Sequence, residues 1–327
     1  MYIIGVDIGA TYTRVALADN EGKILDKVVR HTVREGEGIL LTRQIIDMIR
    51  EVSSRNHVDF KMVKGIGIGT IGPLDLKKGV ITKPANLPLG EVPLRNPLRE
   101  EFKVDVYILN DAVAGAVAEK FFGKGREYKN VVYVTISTGI GCGVFVDGNL
   151  LLGKDGNAHE MGHIVVDLEG RLKCGCGQYG HWEAYASGSG IPKFARLLIS
   201  EMPEDMVRKS LLYRMVKGDF SKLNAKHVYD AAREGDKVAL KIVDEVGRIN
   251  AIGIANVITA YDPSIITIGG SVALNNVDLV LNPIRKHVGK YTVNRVPRIE
   301  ITELGGDIVL IGAVATVVNE LNTIPED

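Results

Sequence analysis

The segment from residue 157 to residue 190 concentrates side chains that bind metals, protons and hydroxyl groups. It holds two Cys, three His and three Glu among seven Gly. Thiolate and imidazole are ligands that zinc prefers, and four of them close a tetrahedral structural site. Four donors of these kinds have ten, one and four residues between them: His163, Cys174, Cys176 and His181. The spacing predicts zinc, with reduced surface thiols as the alternative because a one-residue gap between cysteines is less typical than two.

Two carboxylates flank this candidate metal set. Glu160 precedes His163 by three residues, and Glu183 follows His181 by two. Each Glu alone is most simply a solvated side chain. Together they offer bidentate acceptors for a polyol, because every buried hydroxyl left unpaired costs affinity. We assign His159 and Glu169 to turns and Cys142 to the core.

Two Gly/Thr turns repeat in the two halves of the chain. The first is Asp7-Ile8-Gly9-Ala10-Thr11 and the second is Ser137-Thr138-Gly139-Ile140. Each lies between two apolar runs, at 2 to 8 and 13 to 18, and at 131 to 137 and 142 to 146, which indicates two β-hairpins and an internal repeat. Backbone N–H groups at such turns can cradle phosphates, with Asp7 facing magnesium. The alternative is a pair of ordinary hairpins.

Asn110 and Asp111 stand where a predicted buried strand, 104 to 109, becomes a helix, 112 to 122. A short polar residue at this place is commonly an N-cap. Strand ends are also where α/β proteins present reactive groups. A carboxylate there could accept a hydroxyl proton during attack on phosphorus.

The elements that must position these residues alternate strands with helices. Apolar spacing predicts a helix over 37 to 54, since Leu41, Ile45, Ile49 and Val52 share a face, and a buried strand over 63 to 69. We expect residues 191 to 263 to be mostly helical, including a helix over 236 to 260. Strands at 265 to 268 and 298 to 302 and a helix at 311 to 321 are predicted to follow. We predict an α/β protein of two domains, residues 1–110 with 307–327 and residues 111–306.

The amino-acid composition limits the kinds of partner that this protein is expected to bind. Lys plus Arg and Asp plus Glu both number 40, so no broad electrostatic footprint for nucleic acid or an anionic membrane exists. Neither a signal peptide nor an apolar run of spanning length is recognisable, and we expect a cytoplasmic protein with small-molecule partners.

Taken in order, these motifs resemble the ROK family of sugar kinases and sugar-responsive repressors, over nearly the whole chain. The motifs that carry the resemblance are Asp7-Ile8-Gly9-Ala10-Thr11, Asn110-Asp111-Ala112, Thr138-Gly139-Ile140-Gly141, Glu160-Met161-Gly162-His163, the run from Cys174 to Gly180, Glu183 with Ser187-Gly188, and Gly269-Gly270.

The resemblance implies the fold of actin-like ATPases and hexokinases, with a duplicated mixed-sheet core and a cleft between two α/β domains. Because water would otherwise accept the phosphoryl group, we expect the two halves to close on sugar binding. It implies Asp111 as the catalytic base. It places the following residues at ATP, its phosphates and magnesium: Asp7, Gly9, Thr11, Thr138, Gly139, Gly269 and Gly270. It places the following residues at the sugar: Gly72, Asn86, Asn110, Asp111, Glu160, His163 and Glu183.

The chain departs from the family pattern at two positions. Ala10 stands where Gly is usual, which should matter little if its φ is negative. His181 stands where the family normally has a third Cys, but two Cys and two His still complete a zinc tetrahedron.

The expected activity is therefore transfer of the γ-phosphoryl group of Mg-ATP to the 6-hydroxyl of glucose or a related hexose, with structural zinc and a homodimer or higher homo-oligomer. The runner-up is an N-acetylglucosamine or N-acetylmannosamine kinase. A repressor would carry a helix-turn-helix domain ahead of the first hairpin, and because the first predicted strand starts at Tyr2 we expect none here.

Overall fold

A computed structural model describes residues 1–83 and 87–325 of the 327-residue chain. Asn86, a predicted sugar ligand, lies outside the described residues. The chain divides into two compact units. Unit 1 comprises Met1–Lys129, Gly143–His159 and Glu303–Asp327, and unit 2 comprises Asn130–Cys142 and Glu160–Thr302. The domain boundaries at 110/111 and 306/307 remain a proposal from the sequence.

The described strands form two five-stranded sheets and one small sheet. They are β1 (Tyr2–Ile8), β2 (Tyr12–Asp19), β3 (Ile24–His31), β4 (Val63–Thr70), β5 (Leu74–Asp75), β6 (Val80–Ile81), β7 (Val92–Pro93), β8 (Asp105–Asn110), β9 (Val131–Ile136), β10 (Ile140–Val146), β11 (Asn149–Leu150), β12 (Ile265–Gly269) and β13 (Arg298–Ile301).

The two large sheets repeat one topology. The first has the order β3-β2-β1-β4-β8, in which β1, β4 and β8 are parallel and β2 and β3 are antiparallel additions. The second has the order β11-β10-β9-β12-β13, in which β9, β12 and β13 are parallel. The third sheet joins β5, β6 and β7. The predicted α/β class with a duplicated mixed sheet is confirmed.

Helices account for most of the remaining chain. They are α1 (Ile39–Arg55), α2 (Arg95–Phe102), α3 (Asp111–Phe121), α4 (Trp182–Ala186), α5 (Ile191–Ser200), α6 (Glu204–Lys209), α7 (Leu211–Met215), α8 (Ala225–Arg233), α9 (Lys237–Tyr261), α10 (Ser271–Asn275), α11 (Val277–His287) and α12 (Ile308–Val318). Within the described ranges, none combines the length and apolarity that crossing a bilayer requires.

Helices α1 and α12 pack on unit 1's sheet, and α12 also packs on α3. The apolar residues of α1 that predicted it, among them Leu41, Ile45 and Ile49, are fully buried. The approach of α12 to α3 depends on glycine, because a Cβ at Gly312 would lie 1.8 Å from the Ala114 carbonyl oxygen. This packing fixes α3, whose first residue is Asp111.

The last helix differs from the sequence prediction of 311 to 321. Residues Gly305–Asp307 form a 3-10 turn that leads directly into α12, so the helix begins at Ile308. It ends at Val318, where the side chain of Asn319 donates to the Ala315 carbonyl oxygen at 2.8 Å. The carboxamide thus satisfies one of the last helical carbonyls.

Candidate active site

Three parallel strands of the first sheet end side by side. The register pairs Ile8 of β1 with Thr70 of β4, and Thr70 with Asn110 of β8. Parallel strands present their carboxyl ends at one edge of the sheet, which is where α/β proteins bind ligands. At this edge of the sheet lie the turn at residues 9 to 11, Gly72 and the Asn110-Asp111 pair.

The first Gly/Thr turn has its carbonyl groups bound to neighbouring residues. The Gly9 carbonyl oxygen accepts from Thr32 Oγ1 at 2.7 Å, and the Ala10 carbonyl oxygen accepts from Arg34 Nη1 at 2.7 Å. The Thr11 carbonyl oxygen accepts from the Thr32 amide at 3.0 Å. Among the described residues with positive φ, Ala10 does not occur. The exchange of Gly for Ala at this position therefore introduces no backbone strain.

Asp7 lies beneath this turn and is 5% exposed. Its Oδ2 is 2.6 Å from Arg14 Nη1, and the hairpin register places the two residues opposite each other. Burial raises the pKa of Asp7, and the Arg14 guanidinium opposes that shift. The ion pair thus stabilises a buried carboxylate next to the turn.

Asn110 and Asp111 form the junction between β8 and α3. Asn110 is the N-cap, and its Oδ1 accepts from the Ala112 amide at 3.0 Å. Asp111 Oδ1 accepts from the same amide at 2.8 Å. A Cβ at Gly72 would lie 3.7 Å from Asn110 Nδ2, so Gly72 and Asn110 are adjacent. The capping interpretation holds for Asn110, and Asp111 keeps its place at the carboxyl end of the sheet.

The corresponding edge of the second sheet brings the other Gly/Thr turn beside Gly269-Gly270. Register pairs Gly269 of β12 with Thr135 of β9, just before the turn. Ser137 Oγ is 3.2 Å from Ser271 Oγ. Gly270 has φ +86°, and a Cβ there would lie 2.5 Å from the Ile136 carbonyl oxygen, so this position requires glycine.

The four predicted zinc donors converge in unit 2. One atom from each of His163, Cys174, Cys176 and His181 can be chosen so that all four lie within 4.8 Å of one another.

Two of the distances can be compared with a bound zinc. Cys174 Sγ lies 3.7 Å from His163 Nδ1, and Cys176 Sγ lies 3.3 Å from His181 Nδ1. Sulfur and nitrogen ligands of one tetrahedral zinc are roughly 3.5 Å apart, given their bond lengths. The donor set thus fits zinc, and the fit includes His181.

Protonation in this cluster follows from burial. Burial raises the pKa of the Cys174 thiol to about 12, so a thiolate there needs a cation nearby. Burial, with His163 as a second cause, lowers the pKa of His181. A lowered pKa keeps the imidazole neutral, which is the form that binds metals.

The two predicted polyol acceptors have different surroundings. Glu160 is exposed, and its Oε2 is 3.6 Å from His163 Nε2, whereas the other ring nitrogen, Nδ1, is the one near Cys174. Glu183 Oε2 accepts from the Ile140 amide at 3.0 Å, and its Oε1 lies 3.5 Å from Cys174 Sγ. Glu183 therefore contacts both the cysteine cluster and the second Gly/Thr turn.

His159, Glu169 and Cys142 are placed as the sequence indicated. His159 and Glu169 lie in turns, and Cys142 is fully buried. His159 is also buried, with Nε2 at 2.8 Å from the Gly156 carbonyl oxygen, which the sequence did not indicate.

The residues described above are distributed over nearly the whole chain. The model of the ROK family matches residues 3–320. This chain belongs to the ROK family. A glucokinase of Pyrobaculum calidifontis is 37% identical over 312 residues, which are 95% of this chain and 93% of that protein.

Two solved ROK structures have the same fold. A ROK hexokinase from Thermus thermophilus superposes with a TM-score of 0.80 at 29% identity, covering 98% of this chain and 99% of that one. A ROK glucokinase from Streptomyces griseus, in complex with glucose and AMPPNP, gives 0.76 at 32% identity, covering 96% and 98%.

Sequence reasoning missed several side chains that hold the ROK motifs in place. Arg14 could have been found from the hairpin, since it lies opposite Asp7 in the register. Trp182, the only Trp, stands between His181 and Glu183 and is fully buried. Ser189 donates to the Thr138 carbonyl oxygen across 51 residues, and no local pattern indicates such a contact.

Proposed function

We propose that this ROK chain is an ATP-dependent hexose kinase that transfers the γ-phosphoryl group of Mg-ATP to the 6-hydroxyl of glucose or a related hexose. The observation that carries the proposal is the Asn110-Asp111 junction at the carboxyl end of β8, beside Gly72. Its carboxylate stands where α/β proteins place reactive groups, in a chain 37% identical to a glucokinase.

Asp111 acts as general base in this proposal. Its carboxylate accepts the proton of the 6-hydroxyl while that oxygen attacks the γ-phosphorus, a role that contributes typically ~10²–10⁴-fold. Oδ1 of Asp111 accepts a hydrogen bond from the Ala112 amide, and this bond orients the carboxylate. Asn110 and Gly72, adjacent at this edge, border the sugar. Asn86 is assigned to the sugar on the sequence alone.

The other proposed sugar ligands are Glu160, His163 and Glu183. Glu160 and Glu183 accept from sugar hydroxyls, and His163 presents the nitrogen that faces away from the cysteines. Each acceptor raises affinity because a hydroxyl transferred from water must find a partner.

The nucleotide contacts come from the two Gly/Thr turns and the Gly-Gly turn. Bound Mg-ATP supplies the phosphoryl group and the charge that neutralises its oxygens in the transition state. Asp7 faces the magnesium, and Thr11, Thr138 and Gly139 donate to phosphate oxygens. Gly9 borders the phosphates without donating, because its amide donates to the Tyr12 carbonyl oxygen at 3.0 Å. Gly269 and Gly270 border the nucleotide, where the lack of side chains allows close approach.

We further propose that His163, Cys174, Cys176 and His181 hold one structural zinc. His163 would bind the metal through Nδ1, the nitrogen near Cys174, which would fix the ring and leave Nε2 to meet a sugar hydroxyl near Glu160. Bound zinc would order the segment from His163 to Glu183, and its role in catalysis would be indirect.

A panel of sugars tests the proposal. ADP release is measured by a coupled assay with glucose, mannose, fructose, N-acetylglucosamine and N-acetylmannosamine at fixed Mg-ATP. We expect the highest kcat/KM with glucose or another unmodified hexose. The highest value with an N-acetyl sugar would favour the N-acetylhexosamine kinase, and no sugar-dependent ADP release would contradict both.

A further inference from the structure

The second Gly/Thr turn is fixed by its carbonyl groups. The Ser137 carbonyl oxygen accepts from the Gly188 amide at 2.7 Å. The Thr138 carbonyl oxygen accepts from the Ser189 amide at 3.2 Å and from Ser189 Oγ at 2.9 Å. Because C=O and N–H point in opposite directions in a trans peptide, the Thr138 and Gly139 N–H groups face away from the 187–189 segment.

The first turn uses the same device with different residues. Thr32 Oγ1 holds the Gly9 carbonyl, and Arg34 holds the Ala10 carbonyl. The N–H groups of Ala10 and Thr11 therefore face away from these side chains. Within residues 1–83 and 87–325, neither these two amides nor those of Thr138 and Gly139 have a hydrogen-bond acceptor. Unpaired backbone donors at a turn form an anion-binding concavity.

We propose that Ser189 and Thr32 are positioning residues for the nucleotide. By holding the Thr138 carbonyl, Ser189 aims the Gly139 N–H at the phosphate chain, and by holding the Gly9 carbonyl, the Thr32 hydroxyl aims the Ala10 N–H. The inference rests on the proposed kinase function, which assigns the turns to ATP. Neither hydroxyl needs to touch the nucleotide, since each acts through the peptide plane that it holds.

The contact of Ser189 also connects the second Gly/Thr turn to the segment that contains Glu183, one of the proposed sugar ligands. Ser189 follows α4, which begins beside His181 and contains Glu183. Glu183 Oε2 accepts from the Ile140 amide at 3.0 Å, on the far side of the same turn. Glu183 and Ser189, which lie within and just after α4, therefore both hold the second Gly/Thr turn. The geometry of this turn thus depends on the position of α4.

Single substitutions test this role with Mg-ADP as the probe. Ser189→Ala removes the hydroxyl donor and keeps the amide, whereas Ser189→Thr keeps both. Thr32→Val removes the hydroxyl at nearly constant volume in a residue that is 4% exposed. The matched control is Ser200→Ala, which loses a serine bond to the Leu197 carbonyl oxygen at 2.7 Å, at the end of α5.

The dissociation constant of Mg-ADP is measured by calorimetry, and KM for the hexose by the coupled assay. Loss of one orienting hydrogen bond predicts about a 3- to 10-fold higher dissociation constant for Ser189→Ala and Thr32→Val. Ser189→Thr and Ser200→Ala should match the wild type, and KM for the hexose should stay unchanged.

Two results would overturn the inference: unchanged Mg-ADP affinity in both variants, or equal losses for nucleotide and hexose, which indicate a general structural defect. Because calorimetry needs no turnover, failure of this inference can be distinguished from failure of the proposed kinase function. If the wild type phosphorylates no sugar while Mg-ADP affinity responds as expected, the kinase proposal fails and the role of the turns stands. If the wild type is active and the affinity does not respond, the inference alone fails.

Discussion

Asp111 and Asn110 show how adjacent residues of one motif divide a structural and a chemical task. The Asn110 side chain caps α3, a role that contributes about 1 kcal/mol to helix stability. Asp111 is the first residue of the helix, where a carboxylate is favoured by the helix dipole. The cap therefore fixes the position of the proposed base.

Replacing this base tests its role. We expect Asp111→Asn to lower kcat by ~10²–10⁴-fold, because the amide cannot accept the hydroxyl proton, while glucose affinity measured by calorimetry stays the same. Asp105→Asn is a matched control on the same strand, since the Asp105 side chain is exposed and lies 3.7 Å from Arg99. A near-normal kcat in Asp111→Asn would refute the assignment.

At the scale of elements, α4 carries the residues that join the segment of the four proposed zinc ligands, residues 163 to 181, to the rest of unit 2. Trp182 Nε1 donates to Asn250 Oδ1 of α9 at 2.8 Å, and both side chains are buried. The indole also lies against Gly253, where a Cβ would be 2.3 Å from a ring atom. Because His181 and Glu183 flank this indole, α9 fixes both of their positions.

A methyl group added at Gly253 should displace Trp182 and disturb the residues on either side of it. Gly253→Ala overpacks the site, so we expect a loss of about 1–3 kcal/mol in the free energy of unfolding and a higher KM for hexose. Fluorescence reports the change directly because Trp182 is the only Trp. Gly289→Ala is the matched control, as nothing lies within 4 Å of a Cβ there. Unchanged emission and unchanged unfolding in Gly253→Ala would show that the contact is not needed.

Metal analysis tests the proposed zinc site itself. The purified protein should contain about one zinc per chain, bound in one tetrahedral site. Cys174→Ser should lose the metal and raise KM for hexose, because the loop carries both His163 and Glu183, whereas Cys142→Ala should retain the metal. A metal-free wild type with full activity would exclude a need for zinc.

Periodic elements were predictable from the sequence, and long-range contacts were not. The repeat of Leu41, Ile45 and Ile49 predicted α1, and apolar runs predicted β1 and β4. The small sheet was missed, since β5, β6 and β7 have two residues each and carry no alternation. The Trp182 contact with Asn250 joins residues 68 apart, so only tertiary packing determines it.

At the scale of the whole molecule, one sheet topology occurs twice. In each copy the central strand leads into a Gly/Thr turn, whose N–H groups we propose to face the phosphates. The order β3-β2-β1-β4-β8 corresponds to β11-β10-β9-β12-β13. The sequence revealed this duplication through its two Gly/Thr turns. The partners that hold the turns differ, Thr32 and Arg34 in one and Gly188 and Ser189 in the other, so the repeat motif alone did not predict them.

The most direct test of the central claim is ³¹P NMR of a reaction that contains the protein, glucose and Mg-ATP. Phosphoryl transfer to the 6-hydroxyl predicts glucose 6-phosphate and ADP in equal amounts, with a large loss of both in Asp111→Asn. Release of inorganic phosphate without a sugar phosphate, or a product phosphorylated at another oxygen, would contradict the account.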